Sequence, residues 1–129
     1  MALDLYHVKG EAGKVGTPGA PILSFQLLVN AVSGKITGHA EITHGGLPPP
    51  NEPISISNLT GHLSQLGEPP NHHVVTLKGT YVQSFPPPAI GEILEHFHAT
   101  LSVDGHWNGH GSFTYGGHTV NNVPVKKLP

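Results

Sequence analysis

The chain reads as an all-β domain: a single antiparallel up-and-down barrel of about eight strands, with a two-sheet sandwich as the alternative. Three observations predict this. Apolar and polar residues alternate with period two in segment after segment, and helical periodicity is almost absent. Turn residues break the chain at short, regular intervals. Glycines recur at strand centres on the inward phase, where barrel closure needs sharp bending or close backbone approach.

The segments are Leu3–Lys9, Ile22–Asn30, Lys35–Thr43, Ile54–Leu66, His73–Phe85, Ile93–Ser102, His106–Tyr115 and Thr119–Lys126, in one domain spanning residues 1–129. In the second, Leu23, Phe25, Leu27 and Val29 share a face. In the third, Ile36, Gly38, Ala40 and Ile42 point inward and Thr37, His39 and Glu41 outward. The fourth changes phase between Ile54/Ile56 and Leu59/Gly61/Leu63, which a bulge near Ser57–Asn58 reconciles. The fifth sets Val75, Leu77, Gly79 and Tyr81 against Thr76, Lys78 and Thr80. The sixth sets Phe97, Ala99 and Leu101 against His96, His98 and Thr100. The seventh sets Trp107, Gly109, Gly111, Phe113 and Tyr115 against His106, Asn108, His110, Ser112 and Thr114. Gly38, Gly61, Gly79 and Gly109, with Ala99, are expected to form one inward layer.

Two hairpins can be placed in register. Ala31–Gly34 as a four-residue turn pairs Val29 with Ile36 and Leu27 with Gly38. Val103-Asp104-Gly105 as a three-residue loop, with Gly105 left-handed, pairs Leu101 with Trp107, Ala99 with Gly109, Phe97 with Gly111 and, on the outer face, His98 with His110. Loops Gly10–Pro21, Gly45–Pro53, Pro86–Gly91 and Gly116–His118 then share one end of the barrel. Two triple-proline runs, at 48–50 and 86–88, lie at that end and predict a stiff rim.

Composition excludes several classes. With six basic and eight acidic residues, a formal net charge of −2 and 11% charged residues, the chain has no electrostatic footprint for nucleic acid. No apolar run suits a membrane helix, and the outward strand positions are Thr, Lys, His and Ser, not the apolar band of an outer-membrane barrel. The first twenty residues have no signal-peptide core, so a cytoplasmic product is the default expectation, with non-classical export as the alternative. The absence of Cys removes disulfides and thiolate chemistry.

The eleven histidines carry the chemistry on offer. His96 and His98 share a strand face, roughly 6–7 Å apart. With His110 opposite His98, the three would make a zinc site with an open fourth position, able to activate water. Their outward direction and sparse carboxylate support (Glu41, Glu92, Glu95) weigh against it. No nucleophile elbow, phosphate loop or paired carboxylates stand out, and no catalytic residue is assigned. Inward Trp107, Tyr81, Phe97 and Phe113 are expected to pack the core, or else to line a ligand cavity.

Phe25–Asn30 followed by Gly34-Lys35-Ile36-Thr37-Gly38-His39-Ala40-Glu41-Ile42-Thr43, and Trp107-Asn108-Gly109 through Phe113-Thr114-Tyr115 to Asn121-Asn122-Val123-Pro124-Val125, resemble a small bacterial family known as domain of unknown function eighteen forty-two. The resemblance spans most of the chain and implies a bacterial, β-rich domain without catalytic residues. A local likeness to avidin barrels, over Gly34–Ala40 and Lys78–Val82, points to the same architecture.

Weak charge, a His/Thr/Asn outer face and proline rims lead to one functional expectation: a non-enzymatic barrel acting by self-association, as a homo-oligomer or filament-like structural assembly, or by surface binding. The glycine-loosened amino-terminal segment (Gly10, Gly13, Gly16, Gly19) is expected to be held by a neighbouring copy. The alternatives are a small-molecule or glycan-binding barrel open at the proline-rich end and a zinc enzyme using His96, His98 and His110.

Overall fold

The period-two alternation is realised as eight antiparallel strands closed on themselves. The computed structural model describes residues 5–44, 54–65, 73–84 and 91–128. The strands are β1 (Leu5–Ala12), β2 (Pro21–Asn30), β3 (Lys35–His44), β4 (Ile54–Ser64), β5 (His73–Ser84), β6 (Glu92–Val103), β7 (Gly109–Tyr115) and β8 (His118–Lys127). Each pairs with its neighbours in sequence, and β8 returns to β1. The up-and-down barrel is the architecture. Both triple-proline runs lie outside the described residues.

The phase of the alternation is as expected. Phe25, Phe97, Phe113, Leu23, Leu27, Ile36, Ile56, Leu59, Leu77 and Leu101 are fully buried, and no polar or charged residue is buried among the described ones. Burying each such side chain contributes about 1.5–3 kcal/mol. The outer face carries His39, His62, His96, His98 and His110, all exposed.

β1 continues past the expected Lys9 to Ala12, because Gly10 acts as a strand residue. It pairs with Phe25, and a β-carbon there would stand 2.6 Å from the tip of the Phe25 ring. β1 is held along its whole length by β2 of the same chain.

The inward glycines do not form one layer. Gly38 lies between Leu27 and Leu59, Gly61 between Ile36 and Leu77, Gly109 between Val103 and Val125, and Gly111 between Leu101 and Val123. Large and small residues alternate around the barrel, and at Gly38 and Gly109 the space of the missing side chain is taken by the backbone of the adjacent strand, at Gln26–Leu27 and Ser102–Val103.

The β2–β3 hairpin has the expected register. Asn30 Oδ1 accepts from the N–H of Val32 and Ser33, both at 3.0 Å, and Gly34 closes the turn at φ 79°. The β4 bulge also falls where expected: Gly38 pairs with Leu59 and Ala40 with Ile56, leaving Ser57 and Asn58 opposite His39.

The β6–β7 register differs from the expected one by four residues. Val103 pairs with Gly109, Leu101 with Gly111, Ala99 with Phe113 and Phe97 with Tyr115, across a loop formed by residues 104–108. Asp104 organises that loop: its Oδ1 accepts from the N–H of His106 at 2.8 Å and of Asn108 at 3.1 Å. Trp107, not Gly105, takes the left-handed conformation at φ 61°. There it tucks into the barrel end against Phe25, with ring centroids 6.4 Å apart. Burying the indole offsets the cost of an unusual backbone for a bulky residue. A second bulge lies on β8, where Asn121 and Asn122 stand opposite Ser112, with Asn122 at φ 52°.

Candidate functional site

Chemistry-bearing side chains collect in three places: the outer face, the end of the barrel at Tyr81 and Tyr115, which forms its mouth, and a β-ribbon beside that mouth.

On the outer face the zinc arrangement does not assemble. His98 pairs with Lys78 on one side and Thr114 on the other, whereas His110 pairs with Ser102 and Pro124. The four-residue register change moves His110 roughly 13 Å along the strand from the expected partner. Among the described residues, no group of three or more His, Asp or Glu side chains is placed to hold a metal ion. His98 belongs instead to a shallow depression of about 480 Å3 across β3–β6, edged by Lys35, His62, Lys78 and His98 around Gly61. Glycine at 61 lets the sheet bend at its centre.

The four aromatic candidates do not share one opening. Phe97 and Phe113 are buried in the packed interior, each 1% exposed. Trp107 closes the end of the tight turns. Tyr81 pairs with Glu95, eight residues up β6 from Val103, at the opposite end and roughly 26 Å away. A cavity lined jointly by Trp107, Tyr81 and Phe97 is therefore absent among the described residues, because aliphatic and aromatic side chains fill the space between them.

Tyr81 does line the mouth. There the barrel holds a cavity of about 360 Å3 bounded by His44, Ile54, Tyr81, Gln83, Tyr115 and His118, with Pro21 at its edge. Tyr115 Oη lies 3.2 Å from His44 Nε2. The Tyr115 ring stacks on Phe113 at 6.0 Å and meets the His118 ring at 5.3 Å. Burial, followed by the negative charge of Glu95 and the neighbouring Tyr115, pushes the Tyr81 phenol up, and burial does the same to Tyr115. Both phenols are therefore protonated at neutral pH. The signal for His44 is present in the alternation, since it follows Ile36, Gly38, Ala40 and Ile42 on the inward phase. Its meeting with Tyr115 and His118 depends on closure and has no local signal.

The ribbon is the upper part of the β5–β6 hairpin. β5 and β6 pair from His73/Val103 out to Ser84/Glu92. β4 pairs with β5 only up to Lys78, and β7 with β6 only down to Phe97. Beyond those rungs the two strands pair only with each other among the described residues. Asn58 ties down the root: its Oδ1 accepts from the Thr80 N–H at 3.0 Å and its Nδ2 donates to Thr80 Oγ1 at 2.8 Å. Past this anchor Val82, Ile93 and Leu94 are 58%, 44% and 57% exposed.

The β1–β8 seam is the shortest in the barrel. Three rungs join the strands, Gly10/Lys127, Glu11/Lys126 and Ala12/Val125. Two further backbone bonds extend it, Gly13 N to Pro124 O at 3.0 Å and Leu128 N to Lys9 O at 2.8 Å.

The model of a family described as a domain of unknown function, DUF1842, matches residues 3–119. No curated protein matches the chain.

Proposed function

The chain belongs to this family, DUF1842, and we propose that it acts without catalysis, as a self-associating barrel whose β5–β6 ribbon docks on a second copy. The observation that carries this reading is the ribbon beyond the last barrel rung, with Val82 and Leu94 paired on its outer face and more than half exposed. A two-stranded ribbon is marginal alone in water. Its backbone edges, unpaired among the described residues, are templates for another strand, and its apolar pair gains by burial.

Charge complementarity favours a second copy as the occupant. Glu92 sits two residues from Leu94 on the ribbon's outer face. The depression across β3–β6 offers Lys35, His62, Lys78 and His98, with Thr60 and Thr76 between them and no carboxylate among its described lining residues. A contact between two different surfaces of identical chains is heterologous, so its repetition yields rings or open filaments. The net charge of −2 opposes such association only weakly.

The natural absence of Cys makes the test direct. A Leu94→Cys variant and a Lys78→Cys variant, mixed and mildly oxidised, are expected to give a mixed disulfide dimer, and Glu92→Lys in the first is expected to suppress it. Leu94→Cys homodimers alone would overturn the pairing of ribbon with depression, and no crosslink at all would overturn self-association through the ribbon.

A further inference from the structure

We propose that the barrel mouth is a binding site for a neutral, hydroxyl-rich small molecule, of the size and chemistry of one sugar ring. Five strands deliver its parts: His44 from the end of β3, Ile54 from the start of β4, Tyr81 and Gln83 from β5, Tyr115 from the end of β7 and His118 from the start of β8. The volume, about 360 Å3, lies near the lower end of the range for small-molecule pockets, roughly 300–1,000 Å3, and suits one ring better than a chain of them.

The polar groups decide the class. Two phenols, two imidazoles and one primary amide each donate and accept hydrogen bonds. A hydroxyl does both as well, so a ring of such groups is matched by a polyol. A phosphate or carboxylate ligand would need donors and positive charge. Among the described residues the Glu95 carboxylate is close enough to Tyr81 to raise its phenol and to disfavour an anion beside it. An organic cation would need carboxylates around it, and none is among the described lining residues. The apolar lining fits the same ligand: Ile54 and the part of the Tyr115 ring that borders the cavity supply hydrocarbon for the C–H side of a sugar.

The floor of the cavity is set before anything binds. Gly116, at φ 50°, lets the β7–β8 turn close over Tyr81, and a β-carbon there would stand 2.6 Å from the Tyr81 hydroxyl. Tyr115 is fixed by His44 and by the aromatic stack. Preorganised polar groups of this kind lose little freedom on binding. Tyr81 and Gln83 lie on the opposite phase of β5 from Val82 of the ribbon contact, so either can hold without the other.

The test is a two-dimensional amide NMR titration of the full chain with D-glucose, D-galactose, D-mannose and N-acetyl-D-glucosamine, each to 50 mM (about a thousand-fold above a typical protein concentration), with choline chloride and sodium phosphate in parallel. At least one sugar is expected to give saturable shifts confined to residues around His44, Tyr81, Tyr115 and His118. Tyr115→Phe, which keeps the ring and the fold, is expected to weaken that binding about three- to tenfold through loss of one hydrogen bond. No saturable shift with any of the sugars overturns the proposal. So do saturation by choline or phosphate instead, or unchanged sugar affinity in Tyr115→Phe.

Discussion

Tyr115 and His44, 71 residues apart in the chain, meet at 3.2 Å between phenol oxygen and Nε2, at an end of the barrel where the inward phase turns polar. Below them the interior is hydrocarbon and aromatic. Above Tyr81 and Glu95 the β5–β6 ribbon leaves the barrel, so mouth and ribbon share a rim.

Tyr81 and Tyr115 make stability fall in alkali. Both phenols are held above their ordinary value of 10.0 in the folded chain. Above pH ~10 the unfolded chain releases these protons while the folded chain keeps them. The unfolded state then binds fewer protons, and stability drops as pH rises. Their contribution is complete below the ordinary value and is lost through the raised one. Urea midpoints between pH 9 and 11 are expected to fall more steeply for the wild type than for Tyr81→Phe/Tyr115→Phe. Parallel slopes would remove the effect.

Gly61 is required by the backbone opposite it. A β-carbon there would collide with the Thr76 carbonyl oxygen and stand 2.8 Å from Leu77 Cδ2. Gly61→Ala is expected to cost about 1–3 kcal/mol in urea unfolding. Gly105→Ala, where nothing lies within 4 Å, is expected to change stability by less than about 0.5 kcal/mol.

Asp104 seats the single tryptophan. The N–H groups of Asn108 and then His106 hold its carboxyl below the ordinary 3.8. The stabilisation is present above that ordinary value and fades as pH falls through the lower, folded one. Asp104→Ala is expected to red-shift Trp107 emission by loosening the loop that buries it, and to make the emission indifferent to pH between 2 and 4 (roughly the carboxyl range). An unshifted spectrum would show that the loop holds without the carboxylate.

The β6–β7 register can be read chemically. Ser102 faces His110, so Ser102→Cys/His110→Cys is expected to oxidise readily to a disulfide, and His98→Cys/His110→Cys is not. The opposite outcome would restore the three-residue loop and the expected histidine pairing.

How far residues alone lead to this structure depends on how local each cause is. The Ala31–Gly34 turn is legible because Asn30 and Gly34, which close it, lie within the turn itself. The β4 bulge is legible because Ile56 and Leu59 cannot both point inward without it. The Val103–Gly109 loop is not, because both candidate registers keep Trp107, Phe113 and Tyr115 inward. A four-residue slip preserves every face, so alternation cannot choose between them, and the choice falls to Asp104 and to an indole seeking a pocket near Phe25. Gly10 reads as a breaker in isolation, yet it is the space into which Phe25 packs. His44 stands on the inward phase of β3 in plain sight. That Tyr81, Tyr115 and His118 join it follows only from barrel closure, which is set by all eight registers together.

Sedimentation velocity of the wild type over a micromolar-to-millimolar concentration series, beside Leu94→Glu, bears most directly on the claim that the ribbon joins one copy to another. Wild-type protein is expected to shift to dimers and larger species as concentration rises, while Leu94→Glu stays a monomer with an unchanged fold. A wild type that sediments as a monomer throughout, or a Leu94→Glu variant that associates equally well, would contradict it.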